Sequence, residues 1–123
     1  MTIGEAIELV NRLVPNQVSD QTKVDWLSDL DLMIVRNILS NYEFDADPEF
    51  DGYRADADQS IVLIVPAPFD EIYRWHLEMQ IHGANEETAR YNVAAEKYNA
   101  ALQNYMDYVN RHYIVKSRHV RWW

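Results

Sequence analysis

The sequence predicts an all-α protein, a small helical bundle of about four helices with one long acidic loop and one short extended/β segment. Three observations support this prediction. Apolar residues recur at three-and-four spacing over most of the chain, as on the buried face of a helix. A carboxylate-rich stretch at 41–60 interrupts that pattern. The one clear β-branched run, at 61–65, is too short to build a sheet by itself.

Capping signals place the first two helices. A capping box at 2–5 predicts a helix that runs to about Leu13. Ser19 or Asp20 predicts the start of a second helix that runs to about Leu39. The apolar arc of this second helix is so wide that we expect it to be central in the domain or partly buried by another chain.

The stretch 41–60 combines seven carboxylates with Pro48 and Gly52, which predicts a solvated loop. We expect aromatic side chains to pin this loop to the body of the protein, and the candidates are Phe44, Phe50 and Tyr53. The extended segment at 61–65 has no second strand in the sequence. It is therefore expected to pair with the loop or with another subunit.

Two further helices are predicted at 68–82 and 86–113. A single helix over this span would approach about 65 Å in length, roughly twice the diameter of a small domain. A break is therefore expected where Gly83 suits a C-cap and Asn85 suits an N-cap. The two helices are expected to be antiparallel.

Charge is unevenly distributed along the chain, whose formal net charge is −9. Residues 1–70 carry fourteen acidic and four basic side chains, whereas residues 71–123 carry six and seven. We therefore divide the chain into a helical domain at 1–113 and a basic, tryptophan-ended docking tail at 114–123. This asymmetry argues against nucleic-acid binding by the whole surface and favours contact between the tail of one copy and the acidic face of another.

Composition excludes several classes of protein. The chain has no cysteine, so disulfides, thiolate nucleophiles and cysteine-ligated zinc or iron–sulfur sites are excluded. The N-terminus has no basic cluster of the kind that opens a signal peptide. The longest apolar run is far too short to cross a bilayer. We expect a soluble, intracellular protein that does not contact membranes.

One side of the predicted third helix carries Glu71, Glu78 and His82, which raises the possibility of a metal site. Arg74 sits among them at salt-bridge spacing, and the Glu-x-x-His pairs of a carboxylate-bridged site are missing. A solvated charged face is the favoured interpretation. His76 falls on the apolar side and is predicted to be buried and hydrogen-bonded.

The alternating carboxylates of the acidic loop do not match a calcium-binding EF-hand. Phe50 and Asp56 stand where that motif needs glycine and glutamate. Phosphate-binding glycine loops and the common hydrolase motifs are also missing. We predict no catalytic residue, no metal site and no cofactor.

The chain is therefore predicted to act by binding other proteins. Tyr91, Tyr98 and Tyr105 recur at heptad spacing, which favours core packing, whereas Tyr108 lies off that stripe. Each of the two terminal tryptophans can bury about 150–250 Å², so we expect them to dock into a groove of the same or a neighbouring chain. The candidate contact residues are Trp26, Met33, Tyr53, Tyr108, Arg118, Arg121, Trp122 and Trp123.

Several short motifs, weak singly and characteristic together, cover most of the chain. They are Ile3 to Ile7, Trp26 to Asp31, Gly52-Tyr53, Val65 to Asp70 and the Tyr/Asn-rich last helix. In these motifs the chain resembles the head–tail connector (adaptor) proteins of tailed bacteriophages and prophages. The resemblance implies a non-enzymatic virion subunit that assembles in the cytoplasm of the bacterial host.

The resemblance also implies partners. Such subunits form a homo-oligomeric ring beneath the portal protein, with a C-terminal segment that reaches the portal and a loop that faces the channel or the next ring. The implied partners are the portal protein, other head–tail connector proteins and further copies of the chain. DNA would pass nearby without sequence-specific binding.

Two other functions stay open at this point. The first is an acidic regulatory module of phage or prophage origin that mimics DNA and occupies a basic site on another protein. It is less favoured because the carboxylates cluster in a loop and not along one helix face. The second is a small metal-dependent enzyme that uses Glu71, Glu78 and His82.

Overall fold

A computed structural model describes residues 1–116, and over this range the protein is a small all-α bundle, so the predicted fold class is confirmed. Its α-helices are α1 (Ile3–Leu13), α2 (Asp20–Met33), α3 (Glu71–Ala84) and α4 (Thr88–His112). A π-helical turn (Ile34–Ile38) and a 3₁₀ turn (Leu39–Asn41) continue α2. None of the helices in the described range combines the length and the apolar character needed to span a bilayer.

Both predicted N-terminal caps are confirmed. The Thr2 hydroxyl accepts from the Glu5 amide at 3.1 Å, and the Glu5 carboxylate accepts from the Thr2 amide at 3.2 Å. The Ser19 hydroxyl accepts from the Thr22 amide at 3.2 Å and caps α2. These bonds satisfy amide groups that have no partner within the helix.

The end of the second helix differs from the prediction. The α-helical part stops at Met33, and the π-helical turn that follows widens the helix by about one residue per turn. In the wider turn, neighbouring residues can both face the core. Two such neighbouring pairs are buried: Ile34 with Val35, and Ile38 with Leu39. Leu39, which ideal helical geometry places off the centre of the apolar arc, is thus a core residue.

The break between α3 and α4 has a different construction from the predicted one. Gly83 lies inside the last turn of α3, and Asn85 ends that helix instead of opening the next. Glu86 adopts a left-handed backbone with φ of 58°. The Glu87 amide donates to the His82 carbonyl at 2.9 Å, and the Glu86 amide donates to the Gly83 carbonyl at 3.2 Å. This is a Schellman motif with glutamate at the position that usually holds glycine.

Glu86→Gly is expected to raise the free energy of unfolding by about 1 kcal/mol, because glycine adopts the left-handed conformation without the steric cost that a side chain adds. Urea denaturation measures the change. Glu86→Ala is the control, since it removes the same charge but keeps the cost. An equal gain in both variants would contradict this explanation.

The extended segment pairs with the start of the chain, so the expectation that it pairs with the acidic loop is wrong, and pairing with another subunit stays a prediction. Thr2 and Val62 form an antiparallel bridge. The residue that caps a helix has an extended backbone, which leaves the first residues of the chain free to act as a strand. Leu63 and Val65 are buried in the core, whereas Ile61 and Val62 are exposed.

A second bridge joins Tyr42 to Val115 and brings the beginning of the predicted tail beside the acidic loop. The Lys116 ammonium lies 3.3 Å from the Asp47 carboxylate. The predicted aromatic anchors of the loop are confirmed, since three of its side chains pack against the core: Phe44, Phe50 and Tyr53. The rest of the tail, 117–123, lies outside the described residues.

Candidate functional site

A buried polar cluster centred on Asp31 ties the bundle together. Asp31 is fully buried. The Tyr73 hydroxyl donates to its Oδ1 at 2.6 Å, and the Tyr53 hydroxyl and the Ile64 amide both donate to its Oδ2. The Val65 amide in turn donates to the Tyr73 hydroxyl at 2.7 Å. One carboxylate thus joins α2, the acidic loop, the extended segment and α3.

The electrostatics of this cluster follow from its burial. Burial raises the pKa of Asp31, and the three hydrogen bonds that the carboxylate accepts offset part of this rise. Burial, together with the adjacent carboxylate, raises the pKa of Tyr53 and that of Tyr73, so both phenols stay protonated and donate. Four clefts on the surface of residues 1–116 are lined by residues other than Asp31, Tyr53 and Tyr73. The Asp31 cluster is therefore suited to stabilising the fold.

The acidic loop is also held through its backbone. The Tyr53 amide donates to the Ser28 hydroxyl at 2.8 Å. Gly52 has φ of +100°, and a Cβ built there would lie 2.6 Å from the Ser28 hydroxyl. Tyr53, a predicted contact residue, is therefore bound inside the protein through both its amide and its hydroxyl. Its role in binding a partner stays a prediction.

The burial of two polar residues, Asp31 and Lys23, is not predicted by the sequence pattern. Asp31 interrupts an apolar run, and a carboxylate on the apolar arc of a helix signals a buried group that needs hydrogen-bonding partners. Lys23 is 1% exposed, and its ammonium donates to the Val18 carbonyl at 3.0 Å and to the Asn11 amide oxygen. Burial lowers the pKa of Lys23. Because lysine is rarely buried, the sequence pattern does not predict the burial of Lys23.

The charged side of α3 is only partly solvated. Glu71 is exposed, but Glu78 and His82 are buried, so the predicted solvated face is wrong for these two residues. The reason is that α4 packs over this side of α3, where both residues line a cleft with residues of α4. The predicted ion pair is confirmed, with Arg74 Nε 3.1 Å from Glu78 Oε2. Among the described residues, no group of three or more His, Asp or Glu side chains is placed to hold a metal ion.

His76 is buried and hydrogen-bonded, as predicted. Its Nε2 lies 2.9 Å from the Trp26 carbonyl oxygen, and its ring lies 5.5 Å from that of Tyr98. Within residues 1–116, its Nδ1 has no hydrogen-bonding partner. Burial lowers the pKa of His76, and the bond to Trp26 and the charge of Asp29 oppose this less strongly.

This lowered pKa predicts a loss of stability in acid. The unfolded chain binds a proton on His76 at higher pH than the folded protein does, so the free energy of unfolding falls as the pH drops below about 6.5. The slope from this one group is at most about 1.4 kcal/mol per pH unit. Urea denaturation between about pH 5 and pH 7 tests it. His76→Gln should remove this contribution, and an unchanged slope would contradict it.

The other predicted contact residues occupy different settings. Trp26 and Met33 are partly buried and pack against the core. Tyr108 is partly buried in an aromatic cluster, 4.7 Å from the ring of Phe69 and 4.3 Å from that of His112. Four of the predicted contact residues lie outside the described residues: Arg118, Arg121, Trp122 and Trp123.

The tyrosine stripe of α4 packs as predicted only toward the C-terminal end of the helix. Tyr105 is buried and Tyr98 half-buried, but Tyr91 is exposed, so the core position expected for Tyr91 is wrong. The reason is that the N-terminal half of α4 buries a single residue, Ala94. A helix with so narrow a buried stripe leaves most of its surface open to contacts.

Two clefts along α4 have distinct chemistry. One, of about 300 Å³, is lined by several side-chain amides and by Met106. The other, of about 320 Å³, is mainly apolar and includes Trp75 and Val93. The Arg74 guanidinium lies over the Trp75 ring, 4.2 Å from its centre. Comparisons with protein-family models, with curated proteins and with solved structures find no match for this chain.

Proposed function

We propose that this protein is a structural head–tail connector (adaptor) subunit of a tailed phage or prophage, which forms a ring between the portal and the tail. The observation that carries the proposal is the acidic loop. All seven of its carboxylates are exposed, while its aromatic side chains pack against the core and its Gly52-Tyr53 turn is bound to α2. The loop therefore exposes seven negative charges while its backbone is held against the body of the protein.

Such a loop suits the lining of a DNA channel. Phosphates and carboxylates repel each other over a Debye length of about 8 Å at physiological ionic strength. Arg54 is the single basic residue in the loop, so little there attracts a phosphate. In a ring, these loops would keep DNA from adhering to the wall as it moves.

The C-terminal segment supports the docking part of the proposal. Ile114 and Val115 leave the bundle beside the acidic loop with their side chains exposed. The sequence that follows is basic and ends in two tryptophans. Tryptophan and arginine, which both occur in this sequence, are enriched in protein interfaces. The resemblance described above assigns this segment to contact with the portal.

A non-enzymatic role is part of the proposal. The buried carboxylate of Asp31, whose pKa is raised by burial, accepts hydrogen bonds from its own fold, and four clefts on the described surface are lined by other residues. The buried Glu78 is paired with Arg74. These groups stabilise the bundle that carries the loop and the tail.

Sedimentation velocity of the full chain, alone and with the portal protein of the same gene cluster, tests the proposal. We expect a faster-sedimenting complex that contains both proteins. A matched variant with Asp45→Asn, Glu49→Gln and Asp51→Asn, which leaves the Asp47–Lys116 pair intact, should still bind the portal but yield fewer DNA-filled particles. A chain that stays monomeric and never binds the portal contradicts the proposal. Recovery of a DNA-binding protein in place of virion proteins would favour the DNA-mimic alternative.

A further inference from the structure

Two short β-branched segments present unusual surfaces. Val62 and Ile114 are 68% and 70% exposed, the highest values among the large apolar side chains of the described chain. Beside them, Ile61 and Val115 are exposed as well. Each segment forms a single antiparallel bridge, with Thr2 in one case and Tyr42 in the other. Both are thus extended segments that are paired on one side only and expose apolar side chains to water.

The hydrogen bonds show which backbone groups are left open. The bonds that hold each segment come from the residues on either side of Val62 and on either side of Val115. In an antiparallel pair with this pattern, the N–H and C=O of the central residue point away from the existing partner strand. Within residues 1–116, these groups of Val62 and Val115 have no backbone partner. Each segment therefore offers an edge for strand addition.

We propose that the two edges are the two halves of one contact between copies, in which Val115 of one copy pairs antiparallel with Val62 of the next. Each segment has one outward-facing residue, so the two residues would exchange both of their N–H···O=C bonds. The edges differ in sequence and position, so the contact is head-to-tail, the type that forms a ring when the rotation between copies closes.

Charge selects the antiparallel direction. In the sequence, the basic residues Arg118 and Arg121 follow Val115, and the acidic residues Asp56 and Asp58 precede Val62, so antiparallel pairing matches stretches of opposite charge. Both of these carboxylates are exposed. Parallel pairing would instead match the basic stretch with the apolar stretch 65–69 of the neighbour. Opposite charges set the register and orientation of such a contact.

This inference rests on the proposed function and deepens it, because it names the contact that would join neighbouring subunits of the ring. Val62→Pro and Val115→Pro test it. Proline removes the one N–H that points outward, and no bond within the subunit is lost. Each variant should raise the dissociation constant of self-association by about tenfold or more, as measured by sedimentation equilibrium. Val62→Thr and Val115→Thr keep the N–H and should associate as the wild type does.

Mixing the two proline variants gives a sharper result. The first retains an intact Val115 edge and the second an intact Val62 edge, so an equimolar mixture should form heterodimers that grow no further. Amide hydrogen exchange at Val62 and Val115 should slow when the wild type associates. If proline disturbs the fold, a charge exchange replaces it: Asp56→Arg and Arg121→Glu should each weaken association, and the two in one chain should restore it.

A wild type that stays monomeric at every concentration, or proline variants and charge variants that all associate as the wild type does, would overturn the inference. These outcomes are separable from failure of the proposed function. Proline variants that still form a ring on the portal would remove the strand contact and leave the connector role. A wild type that self-associates through these edges but never binds the portal would do the reverse.

Discussion

Tyr73→Phe should lower the free energy of unfolding by about 2–4 kcal/mol, although it removes a single oxygen atom. The Tyr73 hydroxyl donates to Asp31 and accepts from the Val65 amide, and the tyrosine is fully buried. Without it, a buried carboxylate oxygen and a buried amide both lose their partner. Each unsatisfied buried group costs about 1–3 kcal/mol.

Urea denaturation of three variants separates this effect from simple loss of a hydroxyl. Tyr98 is half-buried, and no hydrogen bond of its hydroxyl is seen within residues 1–116, so Tyr98→Phe should change stability by less than about 0.5 kcal/mol. Tyr53→Phe should fall between the two, because it removes one bond to Asp31 at a half-buried site. Equal effects of Tyr73→Phe and Tyr98→Phe would contradict the role given to the Asp31 cluster.

Gly52→Ala should destabilise the protein by about 2–4 kcal/mol, through left-handed strain plus a steric clash. The backbone at Gly52 has φ of +100°, and the added Cβ would lie 2.6 Å from the Ser28 hydroxyl. The Ser28 hydroxyl accepts a hydrogen bond from the Tyr53 amide, so displacing this hydroxyl also weakens the attachment of the loop. Thermal unfolding measures the loss of stability, and hydrogen exchange at the Tyr53 amide should become faster.

Gly83→Ala is the matched control for this substitution. Gly83 lies in the last turn of α3, and an added Cβ would meet the edge of the Tyr91 ring at 3.3 Å. Tyr91 is exposed and gives way, while alanine favours the helix by about 1 kcal/mol over glycine. The expected change is small or slightly stabilising. Gly52→Ala behaving like Gly83→Ala would show that the loop is not held as described.

The features that the sequence predicts well depend on neighbours in the chain. The caps at Thr2 and Ser19 follow from a hydroxyl and a backbone amide three residues apart, and the Arg74–Glu78 pair follows from helical spacing. The burial of His76 follows from its place on an apolar helix face. Local patterns of this type are sufficient for the all-α fold class.

The features that the sequence misses depend on residues far apart in the chain. Asp31 gains its partners from positions more than twenty residues away, which no local pattern encodes. Glu78 and His82 are buried because α4 packs over them. The periodicity of α3 alone does not predict which other helix covers it. The pairing of Val62 with Thr2 brings together segments about sixty residues apart. The end of α3 is not predicted because Glu86 occupies the left-handed position that glycine usually holds.

The connector role is tested most directly by the composition of purified virions from a host that carries this gene. Quantitative mass spectrometry of DNA-filled particles should find the chain in a fixed ratio to the portal protein. Particles assembled without the chain should lack attached tails. A chain that is missing from purified particles, or whose deletion leaves infectious tailed virions, would contradict the proposal that this protein joins the head to the tail.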